Sequence, residues 1–213
     1  SVILLVLGQA EAARAVIHVD ANAGGTSADG SSWENAFTGL QPALEAAEPG
    51  SVIWVAKGTY YPTAEYGGTG DRYKSFQMKN NVAIYGGFDP VGGDIGFEDR
   101  DWVNNPTILS GDIGAVGDES DNTYHVVHAN DGTVLDGFTI TGGNANGEDS
   151  DANGGGMVNS TSSPTIRNCI FENNDAANFG GAMFNSQGSP HIEDCIFRNN
   201  SAHSGGAMVN DLG

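Results

Sequence analysis

Gly154-Gly155-Gly156-Met157, Gly180-Gly181-Ala182-Met183 and Gly205-Gly206-Ala207-Met208 are three copies of one phrase, set 26 and then 25 residues apart. The text between them repeats as well. Ser163-Pro164-Thr165-Ile166-Arg167-Asn168-Cys169-Ile170-Phe171 returns as Ser189-Pro190-His191-Ile192-Glu193-Asp194-Cys195-Ile196-Phe197. A period this short, rich in Gly and Asn, predicts a solenoid whose rungs each contact only their neighbours.

Aligning the copies places like residues in columns. Leu135, Ile166 and Ile192 share one, and Phe138, Cys169 and Cys195 a second. Ile140, Phe171 and Phe197 form a third, and Ala145, Ala176 and Ala202 a fourth. Between the first two columns stand Gly137, Asn168 and Asp194, residue types that best tolerate a left-handed backbone. A tight bend there lets Ile166 and Cys169, three apart, both point inward, which one straight strand forbids. Asn168 is expected to join an amide stack with its neighbours.

Fainter rungs lie upstream. Asn105-Pro106-Thr107-Ile108 matches Ser163-Pro164-Thr165-Ile166, with Ile113 where Phe171 would fall. Val82-Ala83-Ile84-Tyr85 and Val52-Ile53-Trp54-Val55 read as degenerate turns, with Trp54 alternating like core. About six rungs at ~4.8 Å each predict a body ~30 Å long, every rung made of about three short parallel strands. Thr38 is placed to cap a short helix running to about Ala47, with Leu40, Leu44 and Ala47 on its inward face. That helix covers the N-terminal end of the stack, as repeat proteins require. The predicted class is all-β, a parallel β-helix with a short N-terminal capping helix.

Residues 1–15 read as the remnant of a signal peptide. Val2-Ile3-Leu4-Leu5-Val6-Leu7 is a short apolar core, and Ala13-Arg14-Ala15 fits a cleavage site with the mature chain opening at Val16. Residues 16–213 then form a single β-helix domain. The chain stops at Leu212-Gly213 just after the third phrase opens, so a fragment of a longer protein is expected. No run of residues approaches the ~18 apolar positions of a transmembrane helix.

Lys and Arg total 8 against 27 Asp and Glu, a formal net charge of −19. Such a surface repels nucleic acid and anionic lipid and attracts cations. Glu148, Asp149 and Asp151 lie close together, as do Asp118, Glu119 and Asp121; acidic loops of this kind offer oxygen ligands to calcium. Neither set has EF-hand or Gly-Gly-x-Gly-x-Asp spacing, and solvated loop acids are the commoner explanation. No cofactor is required by any motif. Cys169 and Cys195 occupy equivalent positions without a CxxC or paired His, and free thiols are expected.

Candidate catalytic groups are scarce. Arg167 and Arg198 recur one per rung, as solvated outward residues do. Arg100 has Asp99 and Asp101 beside it for a local ion pair, and Lys57 marks a strand exit. His125 and His128 flank Val126-Val127; under a period of two they face opposite sides and make a poor metal pair. No glycosidase carboxylate pair stands out among so many acids.

The Gly-Gly-Ala-Met phrase with Phe171-Glu172-Asn173-Asn174 and Phe197-Arg198-Asn199-Asn200 resembles the GGA(I/L/V) and FxxN repeats of the polymorphic outer membrane proteins. Met stands where those carry Ile, Leu or Val. More broadly, the chain from Val16 onward looks like bacterial right-handed parallel β-helix proteins of the pectate-lyase-like superfamily. The segments His18-Val19-Asp20-Ala21-Asn22, Asp29-Gly30-Ser31-Ser32-Trp33 and Val52 to Tyr60 carry that likeness. The resemblance implies a right-handed coil and a secreted, outer-membrane or cell-surface protein. The implied role is structural or adhesive, directed at a host or environmental surface and its glycans. The same fold hosts polysaccharide lyases and glycosidases, so a carbohydrate-active or glycan-binding β-helix is the alternative. The Asn-Thr-Asp, Asp-Asp and Gly-His-Gly set of the polygalacturonases is absent.

Overall fold

The computed structural model describes residues 16–93 and 95–211. The expected signal-peptide remnant, residues 1–15, and the last two residues lie outside that range. The first rung is β1 (Val16–Val19), followed by helix α1 (Leu40–Ala46). The second holds β2 (Val52–Ala56), β3 (Gly58–Tyr60) and β4 (Phe76–Gln77). The third holds β5 (Ala83–Phe88), β6 (Thr107–Ser110) and β7 (Val127–His128). The fourth holds β8 (Val134–Asp136), β9 (Phe138–Thr141), β10 (Asn144–Ala145) and β11 (Met157–Ser160). The fifth holds β12 (Thr165–Arg167), β13 (Ile170–Glu172), β14 (Asp175–Phe179) and β15 (Met183–Ser186). The sixth holds β16 (His191–Glu193), β17 (Ile196–Arg198), β18 (Ser201–Ser204) and β19 (Met208–Asp211).

Like strands stack into four parallel sheets. The first runs β1-β2-β5-β8-β12-β16, the second β3-β6-β9-β13-β17 and the third β4-β7-β11-β15-β19, with a short β10-β14-β18 sheet at one corner. The architecture is a right-handed parallel β-helix, the hand that parallel crossovers take almost without exception. Ile166 pairs with Ile192 and with Leu135, as the repeat alignment requires. Phe171 pairs with Ile140 and Phe197, and its ring stacks on Phe197 with centroids 5.2 Å apart. The third sheet contributes Phe76, Val127, Met157, Met183 and Met208 to the interior.

The bend between the first and second sheets is left-handed at Gly137 (φ 85°), Asn168 (52°) and Asp194 (50°), as their residue types predict. A second bend at Gly142, Asn173 and Asn199 repeats the device, with φ of 74°, 54° and 54°. The Gly-Gly phrase solves a third. Gly180 takes φ +64°, while a Cβ at Gly181 would lie 2.2 Å from the Ser201 carbonyl oxygen of the next rung. The first glycine supplies the turn and the second lets two rungs close together. Gly181→Ala should therefore destabilise the protein by about 1–3 kcal/mol through overpacking, measured as a lower urea midpoint.

Several expectations are corrected. Leu109, not Ile113, stands in the Phe171 column, because Thr107-Ile108 pairs with Phe138-Thr139 in the second sheet rather than with the Ile166 stretch in the first. The Asn-Pro-Thr-Ile likeness thus aligned two different faces. Helix α1 is capped by Gly39, with no side-chain cap from Thr38. Pro42 falls in its first turn, where its missing N–H is tolerated. Leu40, Ala43, Leu44 and Ala47 are buried against the N-terminal part of the core.

Trp54 points outward. Ile53 and Val55 are the buried neighbours, and Trp54 stacks on Phe88 at 4.9 Å and lies near Trp33 and His18. Asn168 donates to Asp136 at 2.9 Å instead of to another amide. The amide stacks form elsewhere, from Asn174 to Asn200 at 3.0 Å and from Asn185 to Asn210 at 2.7 Å.

Arg100 is placed differently from expectation, while Arg198 is exposed as expected. Arg100 reaches the buried Asp136 at 2.7 Å, not its sequence neighbours, and its guanidinium lies over the Tyr85, Phe97 and Trp102 rings. Arg167 binds the other oxygen of Asp136 at 2.6 Å, and Arg198 pairs with Glu172. Lys57 pairs with Asp89. Cys169 and Cys195 are free thiols, and burial pushes the Cys169 thiol well up. Among the described residues no helix is long and apolar enough to cross a membrane.

Candidate functional site

The outward column of the third sheet runs Gln77, His128, Val158, Phe184, Val209. Over its first three rungs it floors a groove of about 830 Å³. One wall is the segment between β3 and β4, pinned by the Tyr66 N–H to the Tyr73 carbonyl at 2.9 Å and by Gln77 Nε2 donating to the Glu65 carbonyl at 3.1 Å. Arg72 anchors the base of this wall. It donates to the Asn122 and Asn144 carbonyls at 2.7 and 2.8 Å and lies over the Tyr124 ring at 4.1 Å. The short turn Asp149–Ala152 also lines the groove through Ser150 and Asp151, as do Gln41 and Glu45 of the capping helix.

His125 and His128 meet in this groove with ring centroids 5.1 Å apart. This corrects the opposite-face expectation. Val126 and Val127 are both fully buried, so the chain bends just before β7 and strict alternation fails at that point. The adjacent pair of valines was the one visible signal of the bend. His125 Nδ1 lies 3.1 Å from the Gly154 carbonyl oxygen, and Nε2 lies 3.6 Å from Asp151 Oδ1. A carbonyl only accepts, so Nδ1 carries the proton and Nε2 is bare in the neutral ring. Burial holds the His125 pKa below its usual value. Burial, with His125 as neighbour, pushes His128 down to about 3, so both rings are neutral near pH 7. Tyr66, 52% exposed, lays its ring 4.4 Å from His128.

Asp149 and Asp151 lie on one short turn, with Glu148 at its N-cap. Asp151 turns toward His125 and accepts from the Tyr73 hydroxyl, raising that phenol's pKa. The Glu148 and Asp149 carbonyls accept turn hydrogen bonds from the Asp151 N–H and the Asn153 amide. Among the described residues no three His, Cys, Asp or Glu side chains are grouped so as to hold a metal ion. Asp118 and Asp121 close their own loop through Ser120 and the Ala115 N–H.

The match of residues 22–207 to one family takes in nearly all of this architecture. The chain belongs to DUF1565, a family of proteins of unknown function. No curated protein matches it. Among solved structures it is similar to the pectin methylesterase from Aspergillus niger, with a TM-score of 0.45 and 15% identity over 89% of this chain and 58% of that one. The chain thus spans little more than half the length of that neighbour. The family match covers the groove residues from Gln41 to Thr161.

Proposed function

We propose that this DUF1565 protein is an exported, surface-displayed β-helix that binds an extended glycan in the groove of its third sheet. The observation that carries the reading is the exposed Tyr66 ring standing over a long open groove lined by Gln77, Asn130, Ser160 and Thr161. Sugars need an aromatic face for their C–H surface and scattered amides and hydroxyls for their own hydroxyls. The apolar run at Val2–Leu7 and the Ala13-Arg14-Ala15 triplet support export. An adhesive role follows if the bound chain belongs to another surface.

Charge favours some glycans over others. The net charge of −19, with Glu45, Glu65 and Asp151 against Lys79 in the groove, opposes a polyuronate. A lyase acting on uronates also needs a cationic group free to meet the substrate carboxylate. Arg100 and Arg167 are both engaged by Asp136, which supports binding rather than lyase chemistry. Affinity electrophoresis against neutral and charged polysaccharides tests the reading. A retarding glycan is expected, and Tyr66→Ala should weaken its binding about tenfold by removing the stacking face. If no glycan retards the protein, or if Tyr66→Ala binds as tightly as the parent, the reading fails.

A further inference from the structure

We propose that the glycan lies along the coil axis and spans two aromatic platforms, Tyr66 and the Phe184–Phe179 pair, which suits a neutral, extended, β-linked chain. This deepens the glycan-binding reading and rests on it. The groove floor runs on in register from His128 to Val158 to Phe184. Phe184 faces outward between the buried Met183 and Asn185. Its ring lies beside that of Phe179, with centroids 6.3 Å apart and planes 22° from parallel, and Phe179 is 43% exposed. That exposure is a property of the face, because Phe179 has a rung on either side of it, pairing with Asn153 and with Ser204. The turn Asp149–Ala152, which lines the groove, packs against β14, and β14 ends at Phe179. Floor and flank of the groove therefore both lead to the second platform.

Spacing and surroundings select the ligand. Tyr66 lies against His128, and Phe184 stands two rungs further on, ~10 Å along the axis and about two sugar units of an extended chain. A β-linked glucan stays extended and offers the apolar C–H faces of its rings to both platforms. An α-linked glucan curves and cannot lie flat on both. Beside the aromatic column Ser160 pairs with Ser186, a row of outward hydroxyls. The outward positions of β11 and β15 are thus Val158, Ser160, Phe184 and Ser186, none of them charged. Hydroxyls set beside aromatic faces match a neutral sugar, whereas a charged one finds no partner there.

Isothermal titration of the protein with cellohexaose, cellobiose and maltohexaose tests this. Cellohexaose should bind about tenfold or more tightly than cellobiose, which is too short to span both platforms, and than maltohexaose, which curves away. Phe184→Ala and, independently, Phe179→Ala should each weaken cellohexaose about tenfold, with folding checked by the urea midpoint. Trp102→Ala, which removes an exposed ring outside the groove, should leave binding unchanged. If Tyr66→Ala weakens cellohexaose and neither phenylalanine variant does, the second platform is overturned while the groove stands. Cellobiose or maltohexaose binding as tightly as cellohexaose overturns the extended span. A loss in Trp102→Ala as large as in Phe184→Ala also overturns it, since any exposed ring then serves. If cellohexaose fails to bind while another polysaccharide retards the protein in electrophoresis, the ligand class is wrong and the groove stands. If no polysaccharide does so, the groove reading itself is wrong.

Discussion

Asp136→Ala should lower the unfolding free energy by about 3–5 kcal/mol, read as a drop in the urea midpoint. Asp136 is 1% exposed and holds three partners: Arg100, Arg167 and the Asn168 amide. Arg167 can turn to solvent once the carboxylate is gone. Arg100 cannot do so easily, because its side chain is 7% exposed and sits among Tyr85, Phe97 and Trp102. The loss is therefore mainly the cost of a stranded buried guanidinium. Asp136→Ala combined with Arg100→Met should recover much of the stability, because no unpaired charge remains. A midpoint for Asp136→Ala equal to that of the parent would show the three-way contact to be immaterial.

Phe171→Ala should cost a similar amount, about 3–5 kcal/mol, by a different mechanism. Phe171 is fully buried, with Ile140 on one side and the Phe197 ring stacked on the other. The rungs on either side are held apart by backbone hydrogen bonds, so they cannot collapse into the cavity. Phe171→Leu, which leaves a much smaller cavity, should lose clearly less in the same unfolding assay. Equal losses for the two variants would show that cavity volume does not govern the cost.

What was legible in the sequence divides along the inside and the outside of the coil. Ile166 over Ile192 and Phe171 over Phe197 could be read because interior columns demand like side chains at a fixed period. The left-handed bend at Asn168 could be read because few residues tolerate its backbone. Outward residues obey no such rule. Trp54 alternates like a core residue yet points outward, because alternation fixes two faces but does not say which is inside. Arg100 found Asp136 across 36 residues, a pairing no local pattern announces. The groove depends on the bend before β7 and on the wall between β3 and β4, both irregular, so a period of two puts on opposite faces two histidines that meet. Gln41, on the capping helix, carried no sequence signal at all.

The two-sided strand has a consequence for how such molecules diversify. In the third sheet Phe76, Val127, Met157 and Met183 keep the coil intact, while Gln77, His128, Val158 and Phe184 merely ride on its back. A rider such as Val158 or Phe184 points away from the interior column, whereas Gln77 and His128 also hold the groove wall. Two chains with interchangeable interiors are thus free to greet unrelated molecules, and ligand preference can drift turn by turn while the scaffold stays still.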